Sequence, residues 1–170
     1  MNSRNLKIGI IIVIIIITGL IVMNNHSNNS NITNSNLNGK VTKINEYKCM
    51  IPKEYQNGNV TNYEGYSLYG TDNDTLYITV YNNDNGGDTM YNGDWAYFAK
   101  GENNIDKGPT TENRTLNGHD IVYVALKSEQ RGEYRLAFFD VKGKRIMIEW
   151  LGNDINPSIT NIINSFYALN

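Results

Sequence analysis

The chain has little of what most enzymes and metalloproteins are built from. One cysteine, Cys49, and two histidines, His26 and His119, are all that its 170 residues offer in thiols and imidazoles. The lone thiol excludes an intrachain disulfide and any multi-cysteine metal site, and its place inside a strand-like run predicts a small buried residue. One histidine and one cysteine on separate elements do not supply the three or four nitrogen and sulfur ligands of a usual zinc site. There is no G-x-S-x-G elbow, so His119 beside Asp120, with a serine such as Ser67 or Ser128, lacks the frame of a nucleophilic hydrolase. A strand-end histidine facing water is the expectation. Gly86-Gly87 and the Gly65 to Gly70 stretch fit neither phosphate-loop nor dinucleotide spacing, and no cofactor is implied. A net charge of −2 with no basic stripe gives no nucleic-acid partner. No internal repeat is present. No catalytic, cofactor-binding or metal-ligating residue is assigned.

Charge is also missing from Ile8 to Met23, an unbroken apolar run of sixteen residues preceded by Arg4 and Lys7. As a helix it rises about 24 Å, and it spans a ~30 Å hydrocarbon core if Leu6 and the stem of Lys7 extend it. The next basic residue is Lys40, so the positive-inside bias puts residues 1–7 in the cytoplasm and everything after Met23 outside. A cleaved signal peptide is the alternative. It would want a small-x-small site, whereas the run leads into Val22-Met23-Asn24-Asn25. An uncleaved single-pass anchor at 8–23 is therefore expected, and the membrane is the first partner.

Residues 24–39 (NNHSNNSNITNSNLNG) carry no acid, no Lys or Arg and no Phe, Tyr or Trp. They cannot bury enough surface to offset the entropy of ordering, which predicts a disordered tether. As a flexible coil it spans roughly 20 to 24 Å. Glycosylation-type triplets begin at Asn25, Asn28 and Asn31 in the tether and at Asn59, Asn73 and Asn113 beyond it. A chain this rich in asparagine also produces such triplets by chance.

Residues 40–170 are long enough for one domain that buries roughly two thirds of its unfolded surface. Ile121 to Leu126, Tyr134 to Val141 and Arg145 to Leu151 are strand-length runs of β-branched and aromatic residues. Tyr134, Leu136 and Phe138 alternate with Arg135 and Ala137, while Ile146, Ile148 and Trp150 oppose Met147, Glu149 and Leu151. That pattern predicts one buried and one partly wet face. Glycine connections at 129–132 and 140–144 predict hairpins, hence an antiparallel sheet. Tyr47 to Ile51, Gly65 to Tyr69 and Thr75 to Tyr81 read as strands too, the last two joined at Asp72-Asn-Asp74.

The period then changes. Asn156 suits an N-cap and Pro157 the first helical position, after which Ile159, Ile162, Ile163, Phe166 and Leu169 recur at helical spacing. A terminal amphipathic helix packed on the sheet is expected.

Between Asn82 and Glu112 the pattern breaks into Asn, Asp and Gly clusters around Met90, Tyr91, Trp95, Tyr97 and Phe98. These five residues form the candidate recognition loop, because aromatic side chains among polar turn residues suit a surface that binds. The bland alternative is a short helix whose rings tuck inward and cap the core. Two acid-based readings stand beside it. Asp72-Asn-Asp74 and Asp84 to Asp88 place hard oxygen ligands on loops, as a calcium-dependent adhesion module would, although neither matches an EF-hand series and turn chemistry explains both. Glu149 beside Trp150 suggests an acid for glycoside hydrolysis, but no second acid is visible on its face, and a cross-strand pair with Arg135 or Lys127 accounts for it.

Taken together, the strand ending in Ile51-Pro52-Lys53, the hairpin, the long connection, Thr115-Leu-Asn-Gly118 leading into a strand, the Lys142-Gly-Lys144 hairpin and the terminal helix resemble the PsbP-like fold. That α+β fold is an antiparallel sheet sandwiched by helices. It is shared by an extrinsic photosystem II subunit, a Ran-binding nuclear import factor and many short exported or membrane-anchored microbial proteins. The resemblance spans Tyr47 to Phe166 and implies a fold and an accessory or binding role rather than a reaction. The expected protein is thus an anchored extracytoplasmic binding module, with an envelope protein or polymer as partner. A cell-envelope polymer hydrolase is the alternative.

Overall fold

The computed structural model describes residues 39–102 and 107–168. The apolar run Ile8 to Met23, the tether up to residue 38 with its three glycosylation triplets, and Leu169 lie outside the described residues. No helix among the described residues is long and apolar enough to cross a membrane.

The strands are β1 (Gly39–Ile44), β2 (Tyr47–Pro52), β3 (Gly58–Tyr63), β4 (Tyr66–Thr71), β5 (Leu76–Tyr81), β6 (Lys107–Leu116), β7 (His119–Ser128), β8 (Gly132–Val141), β9 (Lys144–Leu151) and β10 (Tyr167–Ala168). Seven form one antiparallel sheet in the order β3-β4-β5-β9-β8-β7-β6, and β1-β2-β10 form a second. The β8–β9 hairpin turns through Lys142 and Gly143, both at positive φ, as a tight two-residue turn requires. Gly132 at φ 75 closes the β7–β8 hairpin, where Ser128 faces Gly132.

Both faces of the large sheet are covered, which corrects the expectation of a partly wet one. On one face Ile78, Val80, Phe139, Ile146, Ile148 and Trp150 pack with Ile44, Tyr47, Cys49 and Ile51 of the small sheet and with the terminal helix. On the other, Tyr81, Leu136, Phe138 and Met147 meet Phe98 and the partly buried Met90, Tyr91 and Trp95. The reason is legible in β8. Ala137, Phe139 and Val141 are as apolar as Leu136 and Phe138, and a near-continuous apolar run marks a strand buried on both sides.

The terminal helix spans Pro157–Ser165, with the Asn156 side chain accepting from the Ile159 N–H at 2.9 Å. It buries Ile159, Ile162 and Ile163, as the periodicity requires. It stops earlier than expected. Ser165 Oγ accepts the Met50 N–H at 2.7 Å, Phe166 enters the core from an extended position, and the chain pairs with the edge of β2 as β10.

Strands β1, β3 and β6 were not anticipated from sequence, and Gly39 belongs to β1 rather than to the tether. All three lie at sheet edges and are polar. An edge strand pairs on one side only and avoids exposed apolar runs, so it carries little of the signal that marks a buried strand.

Candidate functional site

The stretch from Asn82 to Glu112 is not one loop. It holds a helix at Asn85–Asp94, a π-helical turn at Trp95–Ala99, and the first half of β6. The helix contains three glycines and has weak intrinsic propensity. Its start is fixed locally: the Asp84 side chain accepts from the Gly87 N–H at 2.7 Å. Gly87 is required there, since a Cβ would fall 2.0 Å from the Asn82 carbonyl oxygen. The remainder is held by packing. The Lys100 N–H donates to the Trp95 carbonyl, an i to i+5 bond that widens the last turn.

Four of the five candidate recognition residues, Met90, Tyr91, Trp95 and Tyr97, are half-buried, and Phe98 is buried. Tyr91 stacks with Trp95 at 6.3 Å, and both meet Phe138 of β8 edge-on, at 5.9 and 5.1 Å. Tyr91 also meets Tyr81 edge-on at 5.3 Å, and Tyr97 packs against Phe98 at 4.8 Å. The Arg145 guanidinium lies 4.7 Å from the Tyr91 ring centre and pairs with Asp88 at 2.9 Å. The result is an aromatic shelf packed on the sheet, in which Tyr91, Trp95 and Tyr97 each keep part of their surface in contact with solvent.

Beneath the shelf lies a polar cluster. Tyr81 donates to the Asp94 carboxylate at 2.6 Å. Glu149 of β9 is 3% exposed and pairs with Arg131 from the β7–β8 turn, whose guanidinium lies 4.9 Å from the Tyr134 ring centre. Tyr77, opposite Glu149 on β5, donates to Asp74. Arg131 thus replaces Arg135 and Lys127 as the partner expected for Glu149. Arg135 instead donates to the backbone carbonyls of Leu126 and Asn153 and pairs with Glu133. Burial pushes the Asp94 carboxyl up to about 6; the Tyr81 hydrogen bond opposes this and the charge of Glu149 adds to it.

A raised carboxyl has a definite consequence for stability. Folded Asp94 holds its proton to higher pH than the unfolded chain, so stability falls as pH rises from about 4 to about 6 and is then level with respect to this group. Asp94→Asn keeps an acceptor for Tyr81 and removes the charge. It is expected to raise stability at pH 7 by about 2 kcal/mol, after allowing for the residue's partial exposure, and to flatten the pH dependence. Urea unfolding at pH 4 and pH 7 checks this. Equal destabilisation at both would refute it.

The remaining sequence candidates do not converge. His119 begins β7, half-buried with its ring 5.9 Å from that of Phe139, while Ser128 ends the same strand about 30 Å away. Ser67 Oγ donates to Asn62. Asp74, Asp84 and Asp88 are engaged by Tyr77, the Gly87 N–H and Arg145, and among the described residues no group of three metal-ligating side chains forms. Cys49 is buried and its thiol is pushed up to about 12, which makes it a poor nucleophile. Asn59, Asn73 and Asn113 are exposed. Asp94 and Arg131 were not singled out in the sequence. The available signal was Glu149 itself: an acid on a strand with two buried faces demands a cation, and the turn ending at Gly132 supplies one.

No family model matches the chain, and no curated protein matches it. Eleven chains of solved structures do match. Among them is the solution structure of cyanobacterial PsbP from Synechocystis sp. PCC 6803, 9% identical, covering 82% of this chain and 98% of that one with a TM-score of 0.49. The likeness is one of fold. No residue, ligand or role of that protein is carried onto this chain.

Proposed function

We propose that the chain is a membrane-anchored binding module, held by Ile8 to Met23 with its N-terminus inside and its domain outside, and that it recognises an envelope protein or polymer through the shelf of the middle helix. The observation that carries this reading is the half-buried Tyr91–Trp95 pair, braced by Phe138 and by Arg145 while each residue keeps part of its surface in contact with solvent. Rigid aromatic rings lose little entropy on contact and dominate binding energetics, and both proteins and sugar rings stack on them.

Trp95→Ala is the test. Because the indole is only half-buried, its loss is expected to cost about 2 kcal/mol of stability and leave the domain folded. Capture of the partner from a membrane extract is expected to fall at least tenfold, about 1.4 kcal/mol or more in hot-spot terms. Unchanged capture by the folded variant would move the binding surface elsewhere.

A second reading, hydrolysis of envelope polymer, is favoured by one observation: the Asp94 carboxyl, held up at about 6, has Glu149 as a neighbouring acid. Asp94→Asn separates the two readings. A hydrolase loses turnover, and a binding module keeps its capture.

A further inference from the structure

Apart from the Asn161 Nδ2 that donates to Met50 Sδ at 3.5 Å, no side-chain hydrogen bond or ion pair engages the outer face of the small sheet among the described residues, and its chemistry is mixed in a particular way. The registers Val41↔Met50, Lys43↔Lys48 and Lys48↔Tyr167 put these five side chains on one face, while Ile44, Tyr47, Cys49 and Ile51 turn to the core. Val41 is 51% and Tyr167 48% exposed, two of the three large hydrophobic side chains that are exposed among the described residues. Lys43 and Lys48 sit directly across the β1–β2 ladder. Like charges so placed repel, and among the described residues neither has an ion-pair partner. The nearby acids are committed elsewhere: Glu46 in the β1–β2 turn pairs with Lys144, and Glu54 accepts from Ser158. Two unpaired ammonium groups flanked by an exposed tyrosine and valine match the interfacial zone of a bilayer, where anionic headgroups meet the first methylenes.

The position of this face along the chain, taken with the proposed anchor, bears on what covers it. β1 begins at Gly39, sixteen residues after Met23 ends the apolar run, so on the anchored reading it is the first strand of the domain to follow the membrane segment. A surface tethered to a membrane has a high effective concentration of lipid, and contacts too weak to bind in solution suffice. We propose that the outer face of β1-β2-β10 docks on anionic lipid headgroups of the membrane that holds the anchor, with Lys43 and Lys48 on phosphates and Tyr167 and Val41 at the headgroup level. This rests on the anchored reading given above. The docked domain lies against the bilayer rather than swinging free.

Full-length chain is reconstituted in vesicles of zwitterionic lipid, with or without roughly a third of anionic phosphatidylglycerol, and two lysines near such a surface together favour docking roughly thirty-fold. The readout is the acetylation rate of each lysine by a water-soluble amine reagent, followed by mass spectrometry. Lys43 and Lys48 are expected to react at least several-fold more slowly on anionic vesicles, with Lys127 on the large sheet unchanged and the protection lost in high salt. In K43E/K48E, radical footprinting of Tyr167 is expected to become as fast on anionic as on neutral vesicles. Equal rates for Lys43 and Lys48 on both vesicle types, with the chain retained through an alkaline wash, overturn the docking and leave the anchor standing. Protection that requires added envelope polymer and not lipid overturns it equally. Loss of the chain in the wash overturns the anchor and the docking with it.

Discussion

Glu149→Gln is expected to destabilise the domain by about 3 kcal/mol, far more than an exposed ion pair would predict. Glu149 is 3% exposed on the central strand β9, and its partner Arg131 is held between the Tyr134 and Tyr77 rings. Removing the carboxylate leaves a cation in that site with no counter-charge. Because the Arg131 side chain keeps 20% of its surface it escapes partly to water, which puts the cost at the lower end of the range for broken buried pairs. Replacing both partners with apolar residues of similar size, as in E149M/R131M, is expected to recover most of the loss. Urea unfolding of the two single variants and the double variant measures the coupling. Single-variant losses under about 1 kcal/mol would show that the pair is solvated and structurally idle.

The second large effect lies on the opposite face. Phe166→Ala is expected to cost about 3 to 5 kcal/mol. The ring is 5% exposed, meets Phe139 edge-on at 5.7 Å, and is held by the departure of the chain from the helix into β10. Deleting everything after Asn156 also removes the buried Ile159, Ile162 and Ile163, a loss on the order of 6 to 12 kcal/mol that matches the whole stability of an ordinary domain. The truncated chain is expected to be unfolded. An unchanged midpoint for Phe166→Ala would remove that ring from the core.

The contrast between these two sites shows what the sequence carried and what it did not. The helix under Phe166 was legible because a cap, a proline at the first position and a 3.6-residue stripe of isoleucines all agree. The central strands β7, β8 and β9 were legible because buried strands need β-branched and aromatic residues. The edges were not: GNVTNY in β3 and KGPTTENRTL in β6 make strands only because a neighbour offers hydrogen bonds, and their side chains record almost nothing of it. The middle helix was legible only as an alternative to a loop. Its glycines speak against a helix, and what holds it is the fit of Tyr91, Trp95 and Phe98 onto Phe138 and Tyr81, contacts between residues far apart in the chain. The Glu149–Arg131 pair depends on how one turn folds back, and the Asp94–Tyr81 bond on where a helix ends. Pattern alone places neither.

The wet face expected on the large sheet failed for a related reason. Period-two alternation in β8 rests on Arg135 and Ala137, yet Arg135 lies near the strand end, where its guanidinium reaches the Leu126 and Asn153 carbonyls. One charged residue near a strand end is weak evidence about the face it shares with Ala137, Phe139 and Val141.

The central claim is that this domain is displayed outside the membrane on an uncleaved N-terminal anchor, and one measurement tests it most directly. Intact cells expressing the full chain are treated with a broad-specificity protease that does not cross the membrane, and the products are sized with antibodies to each end. The account predicts a cut in the polar segment 24–38, with the residues before it protected and the folded domain from Gly39 onward released or digested. A domain that stays whole and cell-associated until the membrane is permeabilised would contradict it.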